Sequence, residues 1–370
     1  MANTFISIKD FARGALPRLI ENLVFPNLVH KDFSDAFSSR LGDTIQVRKP
    51  VSLTAAEFDP VSGVTADDIV EATVDVTLDK IATVDVSIEA LQGATNVDDL
   101  QRIFIEPATA ALAEKINSDG LALYKDVAAC TGPAGTTPST LSAIADVRRA
   151  LNRAKAPVSG RVALWDTEAD AAFTALDAVV HADKSGSTQA LREGAIGRLM
   201  GMDNYMSQAV KQHLTGITAA TTVKVNGAVT AGATELSIDG ATLTGKLVKG
   251  DLIKIGGKSY TVTQDSAAAS SNAIATVKVY PALPAIADNA DVTLVGSHTA
   301  NLAFHPSAFA FVTRPLVAPA GVESYVTSHN GVTMRVVRGY DMRYKREMLS
   351  MDVLYGFKTL YPELAVRALG

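Results

Sequence analysis

The chain lacks the features of a disulfide-built, secreted or membrane-spanning protein. Its single cysteine, Cys130, cannot form an internal disulfide, which fits a reducing compartment. No uncharged apolar run reaches the roughly 18 residues that a membrane-spanning helix requires. Lys9, Asp10 and Arg13 interrupt the start too early for a secretory signal peptide. We therefore expect a soluble protein located in the cytoplasm, with no membrane partner.

Aromatic residues and net charge are also low. Aromatics make up 6% of the 370 residues, while Ala, Val and Thr are abundant, which suits extended sheets and thin layers better than a thick enzyme core. The net charge of −5 argues against a protein that binds polyanions over its whole surface. The length favours two or three modules over one simple core.

No pattern predicts a catalytic or metal site. The histidines have neither H-x-x-x-H nor H-E-x-x-H spacing, and no Gly-x-Ser-x-Gly elbow occurs. Cys130 follows an apolar helical stretch and is expected to be a small buried hydrophobe, and His305-Pro306 is expected to start a helix. We predict no enzyme, no cofactor and no metal. The six histidines are His30, His181, His213, His298, His305 and His329.

The pattern of the first 43 residues predicts an N-terminal arm, a segment that packs on a surface outside itself. Asp10–Glu21 has the pattern of a short amphipathic helix, and Pro26 ends regular structure. Apolar residues continue through a weakly patterned leader, so we expect this segment to lie on another surface. These apolar residues are Phe25, Leu28, Val29, Phe33 and Phe37.

Residues 44–90 predict an extended hairpin. Thr44–Lys49, Thr73–Leu78 and Ala82–Ile88 alternate with period two, and Asp79–Ile81 is a candidate turn between the last two. The loop between Pro50 and Glu71 has no Lys or Arg. It is either an intersubunit contact or a solvated surface loop, and the sequence favours neither. Its acids are Glu57, Asp59, Asp67, Asp68 and Glu71.

Residues 91–219 predict a long helix followed by an α/β segment. Asn96–Ala129 has near-helical apolar spacing, with a kink or restart at Pro107. Ser139 is a candidate N-cap for the next helix, and Arg161–Trp165 reads as a strand. Asp166 is expected to cap an Ala-rich helix that ends near His181.

A glycine motif follows in Leu191–Tyr205. Gly194 is expected to close a short helix, Gly197 lies in a short strand from Ala195 to Leu199, and Gly201 turns the chain into a second strand. The motif lacks the Gly-Lys-Ser/Thr ending and the helix of a phosphate loop, so nucleotide binding is disfavoured.

Residues 220–297 change composition and predict a small all-β domain. Gly256-Gly257 is expected to form a tight hairpin turn. Because the α/β pattern resumes at Asn301, we interpret this domain as an insertion. The predicted strands are Thr222–Val225, Glu235–Ile238, Leu252–Ile255, Ser259–Thr263, Ala275–Val279 and Val292–Val295.

Three alternating segments end the chain. Thr333–Arg338, Ser350–Leu354 and Leu364–Leu369 are expected to complete one sheet against the long helix. A basic cluster accompanies them, and it either contacts nucleic acid or an acidic neighbour, or lies on a solvated sheet face. It contains Arg335, Arg338, Arg343, Lys345 and Arg346.

The order of these parts resembles the major capsid proteins of tailed double-stranded DNA bacteriophages with the Hong Kong 97-type fold, and within them the gene 5 coat protein group with an inserted β domain. Three stretches carry the resemblance. They are Glu21–Val29 with Gly42–Pro50, Asn301–Leu316, and the motif Gly194–Tyr205.

The resemblance implies an α+β fold and a function in assembly. It implies pentamers and hexamers that form an icosahedral shell around DNA, with a separate scaffolding protein and a portal protein as further partners and a decoration protein as one more candidate. Its domains would be an N-terminal arm (1–43), an extended hairpin (44–90), a peripheral domain with a spine helix (91–135), an axial domain (136–219, returning at 298–330), an inserted β domain (220–297) and peripheral closing strands (331–370).

A β-rich secreted, surface-layer or adhesin protein is the alternative, because the segment 220–297 is rich in Thr, Ala, Gly and Val. The absence of a signal peptide pattern and of tandem repeats disfavours it. An acidic hairpin tip facing Arg338, Arg343, Lys345 and Arg346 of a neighbour is the contact that the charges suggest.

Overall fold

The computed structural model of the chain describes residues 8–31, 42–48, 73–87, 105–181, 192–341 and 346–370. It divides into two compact units. Unit 1 comprises Met1–Ile20, Lys31–Leu112 and Ala310–Leu360, and unit 2 comprises Glu21–His30, Ala113–Phe309 and Tyr361–Gly370.

The α-helices and strands are named here in chain order. The helices are α1 (Ile8–Asn22), α2 (Glu106–Leu121), α3 (Leu141–Arg153), α4 (Thr167–Thr174) and α5 (Asp177–Val180). The strands before residue 220 are β1 (Thr44–Arg48), β2 (Thr73–Thr77), β3 (Lys80–Ser87), β4 (Cys130–Thr131), β5 (Val162–Trp165), β6 (Gly197–Leu199), β7 (Met202–Met206), β8 (Gln212–His213) and β9 (Ile217–Ala219).

The later strands are β10 (Lys224–Val225), β11 (Glu235–Asp239), β12 (Thr244–Gly245), β13 (Leu252–Ile255), β14 (Lys258–Val262), β15 (Ala273–Tyr280), β16 (Val292–Leu294), β17 (His298–Phe304), β18 (Phe309–Arg314), β19 (Glu323–His329), β20 (Val332–Asp341), β21 (Arg346–Thr359) and β22 (Ala365–Leu369).

Unit 1 is built around the long strand β21. This strand pairs with β20 on one side and β3 on the other, within a five-stranded sheet ordered β18-β21-β20-β19. One face is apolar, because the register aligns Val336 with Met351 and Met351 with Val84. Met334, Val336 and Met351 are buried on this face.

The prediction of a hairpin between β2 and β3 is wrong. β2 instead pairs antiparallel with β1, from Thr73 opposite Arg48 to Thr77 opposite Thr44. β3 already begins at Lys80, inside the expected turn, and pairs with β21. Period-two alternation marks both strands equally, so it could not tell which partner each would take.

Unit 2 contains a seven-stranded sheet ordered β4-β22-β17-β5-β7-β6, with β8 also pairing with β17. Helix α3 buries Ile144, Val147 and Leu151, and these residues share one apolar cluster with Trp165 and Phe173. The N-cap of α3 is Thr140 rather than Ser139. Asp166 caps α4 as predicted, since its side chain accepts a hydrogen bond from the Ala169 N–H at 3.1 Å.

The last strand does not join the sheet that the alternation suggested. β22 lies beside β17, with Leu369 opposite Ala300 and Ala365 opposite Phe304, and it runs parallel to β4 on its other edge. The expectation that Leu364–Leu369 completes one sheet with the two preceding segments is therefore wrong. All five residues of β22 are buried, so it is a central strand of unit 2.

The helix prediction at residues 96–129 is correct over only part of its length. α2 begins at Glu106 with Pro107 in its first turn, where proline is tolerated, and it ends at Leu121. A 3₁₀ turn, Ala122–Asp126, follows it. Residues 96–104 lie outside the described part of the chain.

The leader packs into the chain itself. The predicted helix at Asp10–Glu21 is found as α1, and Phe25 is fully buried with its ring centroid 5.6 Å from those of both Phe304 and Phe309. Asn117 of α2 accepts hydrogen bonds from the Val24 and Phe25 N–H groups at 3.1 and 3.2 Å. The description of residues 1–43 as a weakly structured leader is therefore wrong for residues 8–31; Phe33 and Phe37 are outside the described residues.

The strands predicted between 220 and 297 form one sheet. Its order is β10-β11-β15-β14-β13-β16. The turn at Gly256-Gly257 has positive φ values of 56° and 77°, which glycine adopts without strain. The apolar cluster of this sheet draws its members from residues 217–294 alone, including Val225, Ile253 and Val277.

Because that core is contributed by one continuous stretch, we predict that residues 220–297 fold when expressed alone. Thermal unfolding followed by circular dichroism should show a single cooperative transition. A monotonic change with a random-coil spectrum would show that the sheet depends on the rest of unit 2.

Candidate functional site

A buried polar cluster joins the six-stranded sheet to the seven-stranded sheet within unit 2. Its centre is Arg367 in β22, which is fully buried. Its Nε donates to the Val127 carbonyl at 2.8 Å and its Nη1 to the Gly250 carbonyl at 2.7 Å. Nη2 donates to Thr261 Oγ1 at 2.9 Å and approaches the Lys125 carbonyl at 3.4 Å. The guanidinium therefore bridges segments that lie far apart in sequence.

The oxygens around Arg367 are neutral, so the charge is solvated by dipoles. Burial lowers the pKa of Arg367 to about 10, which leaves the guanidinium protonated at neutral pH. Its Cζ lies 5.3 Å from the centroid of the Tyr124 ring, close enough for a cation–π contact. Thr261 completes the arrangement by donating from Oγ1 to the Lys125 carbonyl at 2.8 Å.

A second chain of hydrogen bonds runs through His213. Asp251 Oδ1 lies 2.9 Å from His213 Nε2, and the other ring nitrogen lies 2.9 Å from the Tyr124 hydroxyl. A carboxylate only accepts, so in the neutral imidazole Nε2–H donates to Asp251 and Tyr124 donates to Nδ1. Asp251 Oδ2 also accepts from the Val248 N–H at 2.7 Å.

The sequence of carboxylate, imidazole and hydroxyl in this chain resembles a catalytic nucleophile with its general base. These three side chains are, however, buried away from any substrate. Tyr124, His213 and Asp251 have exposed fractions of 3%, 2% and 1%. Burial also raises the pKa of the Tyr124 hydroxyl, which opposes its activation. The arrangement serves to hold two layers together.

Gly250 explains how the layers approach so closely. Its φ is +100°, and a Cβ there would lie 2.8 Å from Lys125 Cγ and 3.3 Å from His213 Cε1. Sequence reasoning did not identify Arg367, His213 or Asp251 as partners, because nothing in their spacing relates residues so far apart. The signal that was available is the charge of Arg367 inside an otherwise apolar strand.

The glycine motif forms a turn structure, as predicted. The short helix ends at Glu193, and Gly194, Gly197 and Gly201 have φ values of 67°, 70° and 79°. β6 and β7 pair as a hairpin with Leu199 opposite Met202. The first strand begins at Gly197 rather than at Ala195.

Asn204 fixes this hairpin to the core. It donates to the Gly197 carbonyl at 3.0 Å and to the Met202 carbonyl at 3.1 Å, and its Oδ1 accepts from Trp165 Nε1 at 3.0 Å. The Asn204 side chain therefore holds the backbone of the hairpin against the Trp165 indole.

The predicted charged contact is described only in part. Arg338 lies in β20 opposite Glu323 of β19 and Leu349 of β21. Only the main chain of Arg346 is described, opposite Asp341. The remaining members lie outside the described residues, namely Glu57, Asp59, Asp67, Asp68, Glu71, Arg343 and Lys345.

Arg335 of the same basic cluster has both of its hydrogen-bond partners within unit 1. Its Nε donates to Asp352 Oδ2 at 3.0 Å and its Nη1 to the Val317 carbonyl at 2.7 Å. This arginine therefore stabilises unit 1 itself.

Two further single residues were predicted from the sequence. His305 lies at the N-cap of a 3₁₀ turn, Pro306–Ala308, and accepts from the Ser307 N–H at 3.3 Å, so the predicted helix start is confirmed. Cys130 is half-buried in β4 with its Sγ 3.2 Å from Ser259 Oγ, so its description as a buried residue at a helix end is wrong.

Within the described part of the chain, no three His, Cys, Asp or Glu side chains are grouped to hold a metal ion. Among the same residues, no helix is both long and apolar enough to cross a membrane.

Comparison with known proteins finds similarity at the level of fold. No protein-family model and no curated protein matches the sequence. A chain from a structure of Mycobacterium phage Che8 is similar with a TM-score of 0.53 and 17% identity, covering 94% of this chain and 90% of that one. A chain from the capsid of the cyanophage P-SCSP1u has a TM-score of 0.51 and 14% identity, with 94% and 88% covered. The chain thus shares a mixed α/β fold with phage chains, one of them from a capsid.

Removing the central guanidinium should destabilise the chain strongly. Arg367→Ala leaves buried carbonyls without donors, and we expect the free energy of unfolding to fall by about 3–5 kcal/mol. The free energy of unfolding of Arg367→Lys should lie between those of the parent protein and of Arg367→Ala, because one ammonium cannot reach all these acceptors. Urea unfolding of the purified protein measures both.

The matched control is Arg198→Ala, an exposed arginine whose Nε lies 3.7 Å from Asp203 Oδ1. It should cost less than about 1 kcal/mol. Equal losses for Arg198→Ala and Arg367→Ala would contradict a special role for the buried cluster.

Acidification should also weaken the cluster through His298. Burial lowers its pKa from 6.5 to about 4, with Arg367 and His213 opposing the charged form and Asp251 favouring it. Nδ1 lies 2.8 Å from the Gly296 carbonyl, so it carries the proton of the neutral ring. Below pH 6.5 the unfolded chain takes up the proton first, so stability is full above this pH and falls toward pH 4.

The slope should approach about 1.4 kcal/mol per pH unit across this window. His298→Asn keeps a donor for Gly296 but cannot titrate, so its stability should change less between pH 6.5 and 4. His305, whose pKa is also lowered by burial, is present in both proteins and cancels in the difference. Parallel pH profiles for the two proteins would refute this role of His298.

Proposed function

We propose that this chain is the major capsid protein of a tailed double-stranded DNA bacteriophage, with the Hong Kong 97-type fold, and that it assembles as pentamers and hexamers into an icosahedral shell. The observation that carries the proposal is the shared fold across nearly the full length of both chains, at 94% and 88% for the cyanophage capsid chain. A partial match would support only a common module.

The buried cluster supports a structural protein over an enzyme. The residues with the chemistry of a catalytic group, Asp251, His213 and Tyr124, hold each other and are sealed from solvent. The resemblance of the sequence to the gene 5 coat protein group agrees with this assignment.

The domain scheme of that group is part of the proposal. The arm would be residues 1–43, the extended hairpin 44–90, the spine-helix region 91–135, and the axial domain 136–219 with its return from residue 298. The peripheral closing strands would be β18 to β21, because β22 pairs with β17 in the seven-stranded sheet. The segment 220–297 would be the inserted domain, and its self-contained apolar core is compatible with that role. A separate scaffolding protein and a portal protein would be partners, with a decoration protein as a further candidate. Assembly would take place in the host bacterial cytoplasm.

Shell formation by the chain tests the function directly. The purified full-length protein, alone and with a scaffolding protein from the same phage, should give closed particles of uniform diameter in the electron microscope. Only amorphous aggregate or a stable monomer under both conditions would contradict a capsid function.

Charge on the proposed hairpin should control assembly. The segment between Pro50 and Glu71 has acids and no bases, and complementary charge selects partners and register more than it adds affinity. Replacing Asp59, Asp67 and Asp68 by lysine should leave the subunit folded and block shell formation. Exposed pairs contribute only about 0.2–1 kcal/mol each, so the effect depends on repetition through the shell.

The compensating control is Arg343→Glu with Arg346→Glu in the same chain, which should partly restore shells. Circular dichroism and sedimentation of each subunit separate an assembly defect from unfolding. Normal assembly of the triple lysine variant at low salt would contradict the intersubunit contact and show that the acidic segment is a solvated loop.

A further inference from the structure

The outer face of α3 carries a concentrated positive charge. This helix buries Ile144, Val147 and Leu151, which turns Arg148, Arg149 and Arg153 toward solvent. Arg149 pairs with Asp146 at 2.9 Å. Arg148 and Arg153 have no ion-pair partner among the described residues.

These arginines line a groove of about 570 Å³, and none of its lining residues is acidic, since Asp146, which pairs with Arg149, lies outside the lining. Its lining is Ala145, Arg148, Arg149, Asn152, Arg153 and Met200. Ala145 and Met200 give it an apolar side, and the guanidinium groups supply donors along one helix. Arg149 and Arg153 are four residues apart, so they project from the same face about 6 Å apart along the axis.

A fourth guanidinium lies next to the groove. Arg161 is 2% exposed and donates to the Pro157 and Ala156 carbonyls and to Asn152 Oδ1, each at 2.7 Å. All these acceptors are neutral. Burial, and then the positive charge of Arg148, lower the pKa of Arg161, so like charges repel each other here.

An anion in the groove would relieve this repulsion. Guanidinium groups bind phosphate through paired N–H donors, and a row of them along a helix suits a chain of phosphates. We infer that the α3 groove binds the phosphodiester backbone of DNA, without sequence preference. This inference rests on the proposed function, because a capsid encloses the DNA, and it assigns that contact to one face of an otherwise acidic protein.

The test is the salt dependence of DNA binding by the full-length unassembled subunit. Fluorescence anisotropy with a short labelled duplex gives log K against log salt. The variant Arg148→Gln, Arg149→Gln, Arg153→Gln should bind at least tenfold more weakly at low salt. Its slope should be smaller by up to about 2.7, since each lost phosphate contact removes about 0.9.

The control variant is Lys224→Gln, Lys254→Gln, Lys278→Gln, on the six-stranded sheet, which removes the same net charge. It should bind DNA like the parent protein. Equal weakening in both variants would show that the effect depends only on overall charge and would overturn the inference. Unchanged binding by the arginine variant, or no binding by the parent protein, would also overturn it. Circular dichroism confirms that each variant is folded.

Shell formation separates this inference from the proposed function. If the parent protein forms shells but the α3 variant loses neither affinity nor slope, the groove inference fails and the capsid function stands. If the arginine variant binds DNA normally but cannot assemble, the groove contacts an acidic surface of another subunit, and the inference is overturned. If the parent forms no particles, the capsid function fails whatever the DNA result.

Discussion

The buried guanidinium of Arg367 is the constraint on which the organisation of unit 2 depends. A charge removed from water is tolerated only when fixed dipoles replace the solvent. Three oxygens provide these dipoles. The Val127 carbonyl lies after the 3₁₀ turn that follows α2, the Gly250 carbonyl lies just before β13, and Thr261 Oγ1 belongs to β14. The two sheets must therefore pack together in this arrangement before the guanidinium of Arg367 can make its hydrogen bonds. The absence of a side chain on Gly250 and the exchange of hydrogen bonds among Tyr124, His213 and Asp251 follow from that close approach.

This arrangement divides the polar residues of the chain by their role. Those at the junction are sealed and satisfy one another, and Asn204 and Asn117 similarly support backbone turns. The arginines on α3 have the opposite character, since they are solvent-facing and only one has an acidic partner among the described residues. Under the proposed function, such exposed charge is where partners would be recognised, while buried charge keeps each chain in one shape.

Fold similarity at 17% and 14% identity has a physical explanation. A sheet layer needs alternation and suitable volume, and many apolar residues meet that need. β21 illustrates this, with Leu349, Met351 and Val353 buried on one face of the sheet. Individual polar contacts are less free to vary, because each buried donor needs its own acceptor.

The sequence by itself determined local structure. Alternation identified the strands between Lys224 and Leu294, the glycines marked the β6–β7 turn, and Asp166 marked the start of α4, because these signals act between residues close in the chain. The order of segments also supported the resemblance to capsid proteins. The tertiary structure decided the partners. It placed β2 beside β1, β22 beside β17 and Phe25 in the core, and it brought Arg367, His213 and Asp251 together. Alternation is the same whichever strand lies next to it, and a hydrogen bond across a hundred residues leaves no periodic trace, so only the folded chain could assign them.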